Sequence, residues 1–436
     1  MHMMSFEQAP PIAVPIRFFL TAPVFGMLAG FVLLWAGPGA LIAGWAPPTL
    51  TIVHLMTVGV MLQVMCGALL QFIPVATGGN IWRPNWIAHV VHPVAVLAAI
   101  VLAAGFFYSK PVLLEVGASL FVVSLGIYGL AVGIAVFRTP AKNPTVVALR
   151  LAIVGLAATV ISGSILVEAL QGRPLVAPIE LVGVHAAWGL AGWALMLLMG
   201  VSFFVVPMLQ LTPPYPKWLQ RSAPPSLFAL LALCSLQLGW HASRAWRSLE
   251  LAAIVLAAVT YALTTLWLGK QRQRKARDPT QQFFSLAMAC IVLAAASWVL
   301  PGWRDLWMWT PPAALWLGAL ILQGVFGSVL CGMIYKIAPF ATWMGLQKLD
   351  PAMSIKLNTK TLLPEKRIVQ QWRFHVLALI VLLAATVFPE LARLAGVLMI
   401  SSYAWFGWNL ITVVRGYLRH RPRRRSNPQG NPVVER

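Results

Sequence analysis

The sequence predicts an all-α integral membrane protein of about twelve transmembrane helices, set in a pseudo-threefold arrangement of four-helix arcs. Composition, run length and an internal repeat carry that expectation. The 436 residues are 59% hydrophobic and 10% charged, against roughly 25% charged in an ordinary soluble domain. Mean hydropathy is +0.80, and no polar half leaves room for a large soluble domain beside a single anchor.

Apolar runs of membrane-crossing length occupy residues 17–36, 50–73, 86–107, 112–137, 147–170, 181–206, 224–240, 248–268, 282–300, 312–337, 373–388 and 391–414. Backbone polar groups in lipid must be satisfied within the protein, so runs this long and apolar read as helices. The strict alternation of barrel strands is absent. The start of the chain, MHMMSFEQAPPIAVPIRFFL, shows no short apolar core followed by a small-residue cleavage site, so the first span is expected to be retained. Cys66, Cys234, Cys290 and Cys331 all fall in apolar stretches and form no CxxC or CxxCH pattern. They predict buried free thiols rather than disulfides or covalently attached haem.

Lys and Arg number 32 against 11 Asp and Glu, a net charge of +21. The connections after the fourth, sixth, eighth and tenth spans hold most of it: Arg138 and Lys142, Lys217 and Arg221, the run from Lys270 to Arg277, and Lys348, Lys356, Lys360, Lys366 and Arg367. The tail, 415–436, adds Arg415, Arg419, Arg421, Arg423, Arg424 and Arg425. On the other side the connection after the first span is uncharged, and the rest are partly balanced by Glu115, Glu180, Glu250, Asp305 and Glu390. The positive-inside rule then predicts both termini on the cytoplasmic side of a bacterial-type inner membrane. The charge is a topology signal, so the expected partner is the bilayer, with the basic tail against anionic head groups, and not a nucleic acid.

The second span ends VMCGALLQFIPVAT (64–77) and the tenth ends VLCGMIYKIAPFAT (329–342). Laid together without a gap, they match Cys66 with Cys331, Gly67 with Gly332, Pro74 with Pro339 and Thr77 with Thr342. A third copy, LMGVSFFVVPMLQ, carries Gly200 and Pro207. The three glycines are 133 and 132 residues apart. Close packing explains any one Gly in a membrane helix, but not a constant spacing of a third of the chain. The repeats are expected at about 17–140, 147–270 and 282–414. A period of four helices speaks against the two six-helix halves of a major-facilitator transporter.

Orientation divides the eight histidines. His54 and His185 lie a few residues into the second and sixth spans, at similar depth on the outer side, and His241 follows the seventh span. His89 and His92, on one face of the third span, and His375, opening the eleventh, fall toward the cytoplasmic side, where interface anchoring and packing account for them. Imidazole is the usual protein ligand of haem iron, copper and zinc, and an ionisable residue inside a span is a functional hypothesis by default. The alternative for His54 and His185 is an interhelical hydrogen bond.

Twelve spans in three arcs, with histidines at the outer ends of the second and sixth, resemble the heme-copper oxidase subunit I superfamily. The branch that looks most similar is the smaller NnrS-like membrane proteins, whose second span carries a His and then a Gly-rich stretch ending in Pro and Thr-Gly; here it reads HLMTVGVMLQVMCGALLQFIPVATG from His54. The resemblance implies that His54 is an axial haem ligand, that His185 matches the first copper ligand on the sixth span, and that His241 loosely matches the ligand pair after the seventh. The chain departs from the pattern in its tenth span, which has no His-x-His, and in Val53-His54-Leu55-Met56, where a His-x-His-Glu start is typical of NnrS-like proteins. The acids cluster at span ends and loops, so the ionisable relay of a proton pump is not expected.

The resemblance implies a haem- and/or copper-binding membrane protein with an incomplete oxidase ligand set, in nitric oxide or respiratory-stress metabolism; any enzyme activity would be that of a non-pumping oxidoreductase. A cofactor-free membrane transporter is one alternative. Another is an assembly factor that docks on the subunits of a respiratory complex.

Overall fold

A computed structural model describes residues 10–172, 178–237, 244–273, 278–299, 311–349 and 357–421. Among these residues all regular secondary structure is helical. The long helices are α1 (Ala13–Leu41), α2 (Pro47–Thr77), α3 (Pro84–Phe107), α4 (Pro111–Arg138), α5 (Pro144–Leu170) and α6 (Glu180–Gln210). They continue with α7 (Lys217–Leu236), α8 (Arg244–Lys270), α9 (Pro279–Val299), α10 (Ala313–Leu349), α11 (Glu365–Val387) and α12 (Ala392–His420). Eleven are long and apolar enough to cross a membrane by composition. The twelfth, α7, has 20 residues, about 30 Å of helix, but opens on a polar turn containing Lys217, Gln220 and Arg221. The chain is a multi-pass, all-α membrane protein. Proline marks several starts: Pro47, Pro84, Pro111, Pro144 and Pro279 open α2, α3, α4, α5 and α9, where the missing N–H has no intrahelical partner to lose.

Packing is threefold. In each set of four, the first helix touches the second and the third, and the third pairs with the fourth. The fourth packs on the first of the next set: α4 on α5, α8 on α9, and α12 back on α1 to close the ring. The second helix of each set, α2, α6 or α10, lies innermost.

Each inner helix changes from α to π winding near its start, over Leu55–Met61, Trp188–Leu195 and Leu320–Gly327. These segments begin 133 and 132 residues apart, the spacing of the repeated glycines. Each contains a further glycine in phase: Gly59, Gly192 and Gly324. Gly59 packs on Phe25 of α1, Gly192 on Gly155 of α5 and Gly324 on Cys290 of α9. Two turns on, a β-carbon on Gly67 would stand 2.7 Å from Phe18 Cβ, one on Gly200 2.6 Å from Ala148 Cβ, and one on Gly332 2.8 Å from Phe283 Cβ. These approaches admit only hydrogen at the crossing. With little hydrophobic driving force between helices in lipid, such close contact is a principal source of association.

The fourth helices of the first two sets tie the inner ones down with equivalent buried tyrosines. Tyr128 donates to the Cys66 carbonyl at 3.0 Å and Tyr261 to Ser202 Oγ at 2.8 Å. In the third set Asn409 of α12 donates to Tyr335 of α10 at 3.0 Å.

Beyond the π segments the inner helices enclose a cavity on the threefold axis, walled by equivalent positions of all three: Val64, Leu197 and Val329 at one level, Ala68, Val201 and Met333 at the next, then Phe72, Val205 and Ile337. It lies toward the face on which α1 begins and α12 ends, here termed the terminal face.

Candidate functional site

The sequence-predicted pair stands at the other end of the inner helices. His54 is the last residue before the π segment of α2, and His185 precedes that of α6 by three residues. π segments are frequent at functional sites because the widened turn displaces side chains and main-chain carbonyls from the regular ladder.

The His54 ring is fixed on two sides. Its Nδ1 lies 2.8 Å from the Leu50 carbonyl, one turn back, and its face stacks on Phe106 of α3 with centroids 4.4 Å apart. His185 Nδ1 lies 3.1 Å from the Thr159 carbonyl of α5 and 3.3 Å from Ser162 Oγ. Its ring occupies the space left by Gly163, where a β-carbon would come within 2.9 Å of Cε1. A carbonyl only accepts, so both rings carry their proton on Nδ1 and present an Nε2 lone pair. Among the described residues neither Nε2 has a hydrogen-bond partner.

In metal-binding histidines, a hydrogen bond from the ring nitrogen away from the metal sets the tautomer and aims the ring; the carbonyls of Leu50 and Thr159 are placed to do this. The donor set fits a soft or borderline metal bound through imidazole, haem iron or copper. Among the described residues no group of three or more His, Cys, Asp and Glu forms a cluster able to hold a metal ion, so the set offered is the pair. The third expected ligand, His241, lies outside the described residues.

Two polar features of the same half were not expected. Trp188, one turn after His185, donates to Ser235 Oγ of α7 at 2.7 Å. Glu250, read from the sequence as an acid of the outer loops, is buried at 5% exposure and accepts from Cys234 Sγ at 3.2 Å and from Gln237. The sequence places Glu250 beside Ser248 and Arg247, and that polar context conceals its inward aspect.

The remaining histidines divide differently from the expectation. His89 is exposed, bonded to the Asn85 carbonyl at 2.6 Å with Arg17 at 3.3 Å, and His92 meets Thr21 Oγ1 at 3.1 Å; both fit the packing role. His375 does not lie at an interface. α11 begins at Glu365, eight residues before the apolar run, which puts His375 mid-helix with no exposed surface. Its Nε2 is 2.9 Å from Ser328 Oγ and its Nδ1 3.3 Å from Gln323 Nε2. Gln323 in turn accepts from the Tyr403 hydroxyl at 2.9 Å. This buried chain ties α10, α11 and α12 together, and both ring nitrogens are engaged, so His375 is not free to bind a metal.

At the terminal face a polar cleft lies between α6, α9, α10 and the start of α11. Lys336 donates to Asp278 at 2.6 Å, Lys360 pairs with Glu365 at 3.0 Å, and Arg272 bonds Gln281. Burial raises the Asp278 carboxyl, but the bond and charge of Lys336, with the Thr280 hydroxyl and amide, bring it net below the ordinary carboxylate value.

No model of a known protein family matches the chain, and no match is found among curated proteins.

Proposed function

We propose that the chain is a haem- and/or copper-binding membrane protein of the heme-copper oxidase subunit I type, with a reduced ligand set, working in nitric oxide or respiratory-stress metabolism. The observation that carries this reading is the pair His54 and His185, each with Nδ1 held by a main-chain carbonyl and Nε2 unengaged, in front of the π segments of two inner helices. Haem iron or copper held there would supply one-electron chemistry and a coordination position for a diatomic gas. The chain's own part is orientation: Leu50 and Phe106 fix one imidazole, Thr159, Ser162 and the space at Gly163 the other.

The membrane is a bacterial-type cytoplasmic membrane and the terminal face is the cytoplasmic one, from the bias of Lys and Arg to that side. Subunits of a respiratory complex are the partners this reading calls for.

A visible spectrum and elemental analysis of the purified protein test it. A Soret band or copper near one per chain, with a spectral change on adding nitric oxide, is expected; a folded protein with neither haem nor copper overturns it. The axial cavity favours a second reading, a cofactor-free membrane transporter, for which substrate uptake into vesicles would survive His54→Ala and His185→Ala.

A further inference from the structure

Arg17 is a cation in the apolar α1, one turn from the helix start at the terminal face. Its Nε donates to the Ala13 carbonyl at 3.0 Å and one terminal N–H to His89 Nε2 of α3 at 3.3 Å. His89 can accept there because its Nδ1 proton goes to the Asn85 carbonyl, 2.6 Å away. Beside this bridge Thr21 Oγ1, bonded to the Arg17 carbonyl at 3.0 Å, meets His92 Nε2 at 3.1 Å. The guanidinium is thus aimed from two helices by groups that carry no negative charge.

Of its five N–H groups two are used, and among the described residues Arg17 has no carboxylate partner. Arg150 shows how an arginine is satisfied by the protein alone: it donates to the Val136 and Thr139 carbonyls at 3.1 and 3.0 Å, at the end of α4, where a helix favours positive charge. Arg17 has the opposite setting, since α1 and α3 both begin at the terminal face and helix starts favour an anion. On the face of α3 that carries His89, Trp86 lies one turn earlier. It is 47% exposed and meets Trp82, 61% exposed, with centroids 5.9 Å apart; Arg83 lies over Trp82 at 5.1 Å. Exposed indoles near a helix start are head-group anchors in a membrane protein, and a guanidinium with free N–H groups takes two phosphate oxygens together.

We propose that Arg17, with Trp86, Trp82 and Arg83 beside it, binds the head-group phosphate of an anionic phospholipid in the leaflet at the terminal face. The site lies on the surface between α1 and α3 and does not depend on a cofactor at His54 and His185.

Native mass spectrometry of the full chain, released from neutral detergent after equilibration with dioleoylphosphatidylglycerol or dioleoylphosphatidylcholine, tests this. Expected is a first phosphatidylglycerol adduct about fivefold tighter than that of phosphatidylcholine or more, not displaced by an equal concentration of inorganic phosphate. Arg17→Gln should weaken it by about tenfold. His89→Ala should weaken it by about threefold, because the guanidinium is no longer preset, and His89→Gln, whose amide oxygen can accept the same bond, should restore it. Arg221→Gln, at an exposed arginine of the same face in the second set of helices, should leave it unchanged. Equal binding of the two lipids, displacement by inorganic phosphate, or a folded Arg17→Gln chain that binds like the wild type overturns the proposal, as does equal weakening by Arg221→Gln, the mark of diffuse surface charge. Should Arg17→Gln fail to fold, His89→Ala and His89→Gln, changes at an exposed side chain, decide in its place.

Discussion

His375 Nε2 lies 2.9 Å from the Ser328 hydroxyl, joining the middle of α11 to α10 where neither residue has exposed surface. A polar bond at that depth has no water to replace it. Truncation to His375→Ala leaves Ser328 and Gln323 facing a void, at a cost of roughly 1–3 kcal/mol for each buried group left unpaired. A clear fall in thermal midpoint in detergent is expected, larger than that for His54→Ala, which gives up one bond to the Leu50 carbonyl and the stack on Phe106.

The glycine crossings give a second contrast. Gly332→Val drives side-chain carbon into Phe283, and overpacking of this kind costs about 1–3 kcal/mol or more. Gly129 in α4 has nothing within 4 Å of the place a β-carbon would take, and Gly129→Ala should hold or slightly raise stability through helix propensity. Fluorescence-detected size exclusion after heating measures both.

Asp278 gives the acid limb of stability. Its folded-state carboxyl titrates below its ordinary value, so its contribution is present above that value and is lost as pH falls through the depressed one. The pair with Lys336 is about a third exposed, which limits its worth to about 1 kcal/mol or less. Asp278→Asn should lower the midpoint at pH 7, and the difference from wild type should shrink as the medium is acidified toward pH 3.

Orientation is tested with reporters. Green fluorescent protein fused after His420 should fluoresce and alkaline phosphatase there should be inactive, with the reverse for fusions in the uncharged α1–α2 connection. Active phosphatase at the C-terminus would invert the assignment of faces.

Much of the fold is legible in the sequence because lipid leaves the backbone few options. The twelve runs correspond to the twelve helices, and the spacing of Gly67, Gly200 and Gly332 coincides with a contact that is the same in each set of helices. The same offset, applied one step further, finds Gly59, Gly192 and Gly324; the π winding around them has no residue-level signature. Hydropathy alone places the start of α11 too late, since its first two turns are polar. That displacement puts His375 at an interface and hides a buried network. Depth and near-equivalent position in the repeat single out His54 and His185. They do not reveal that a carbonyl pins each Nδ1, because those bonds depend on ring orientation and, for His185, on a neighbouring helix.

Whether these two imidazoles hold a cofactor is measured directly by titrating cofactor-free protein with haem and, separately, with Cu(I), in wild type, His54→Ala and His185→Ala. Saturation near one equivalent in the wild type for at least one of them, weakened by about tenfold or more in both variants, is the result expected. Binding unchanged in both variants, or none in a folded wild type, would contradict it.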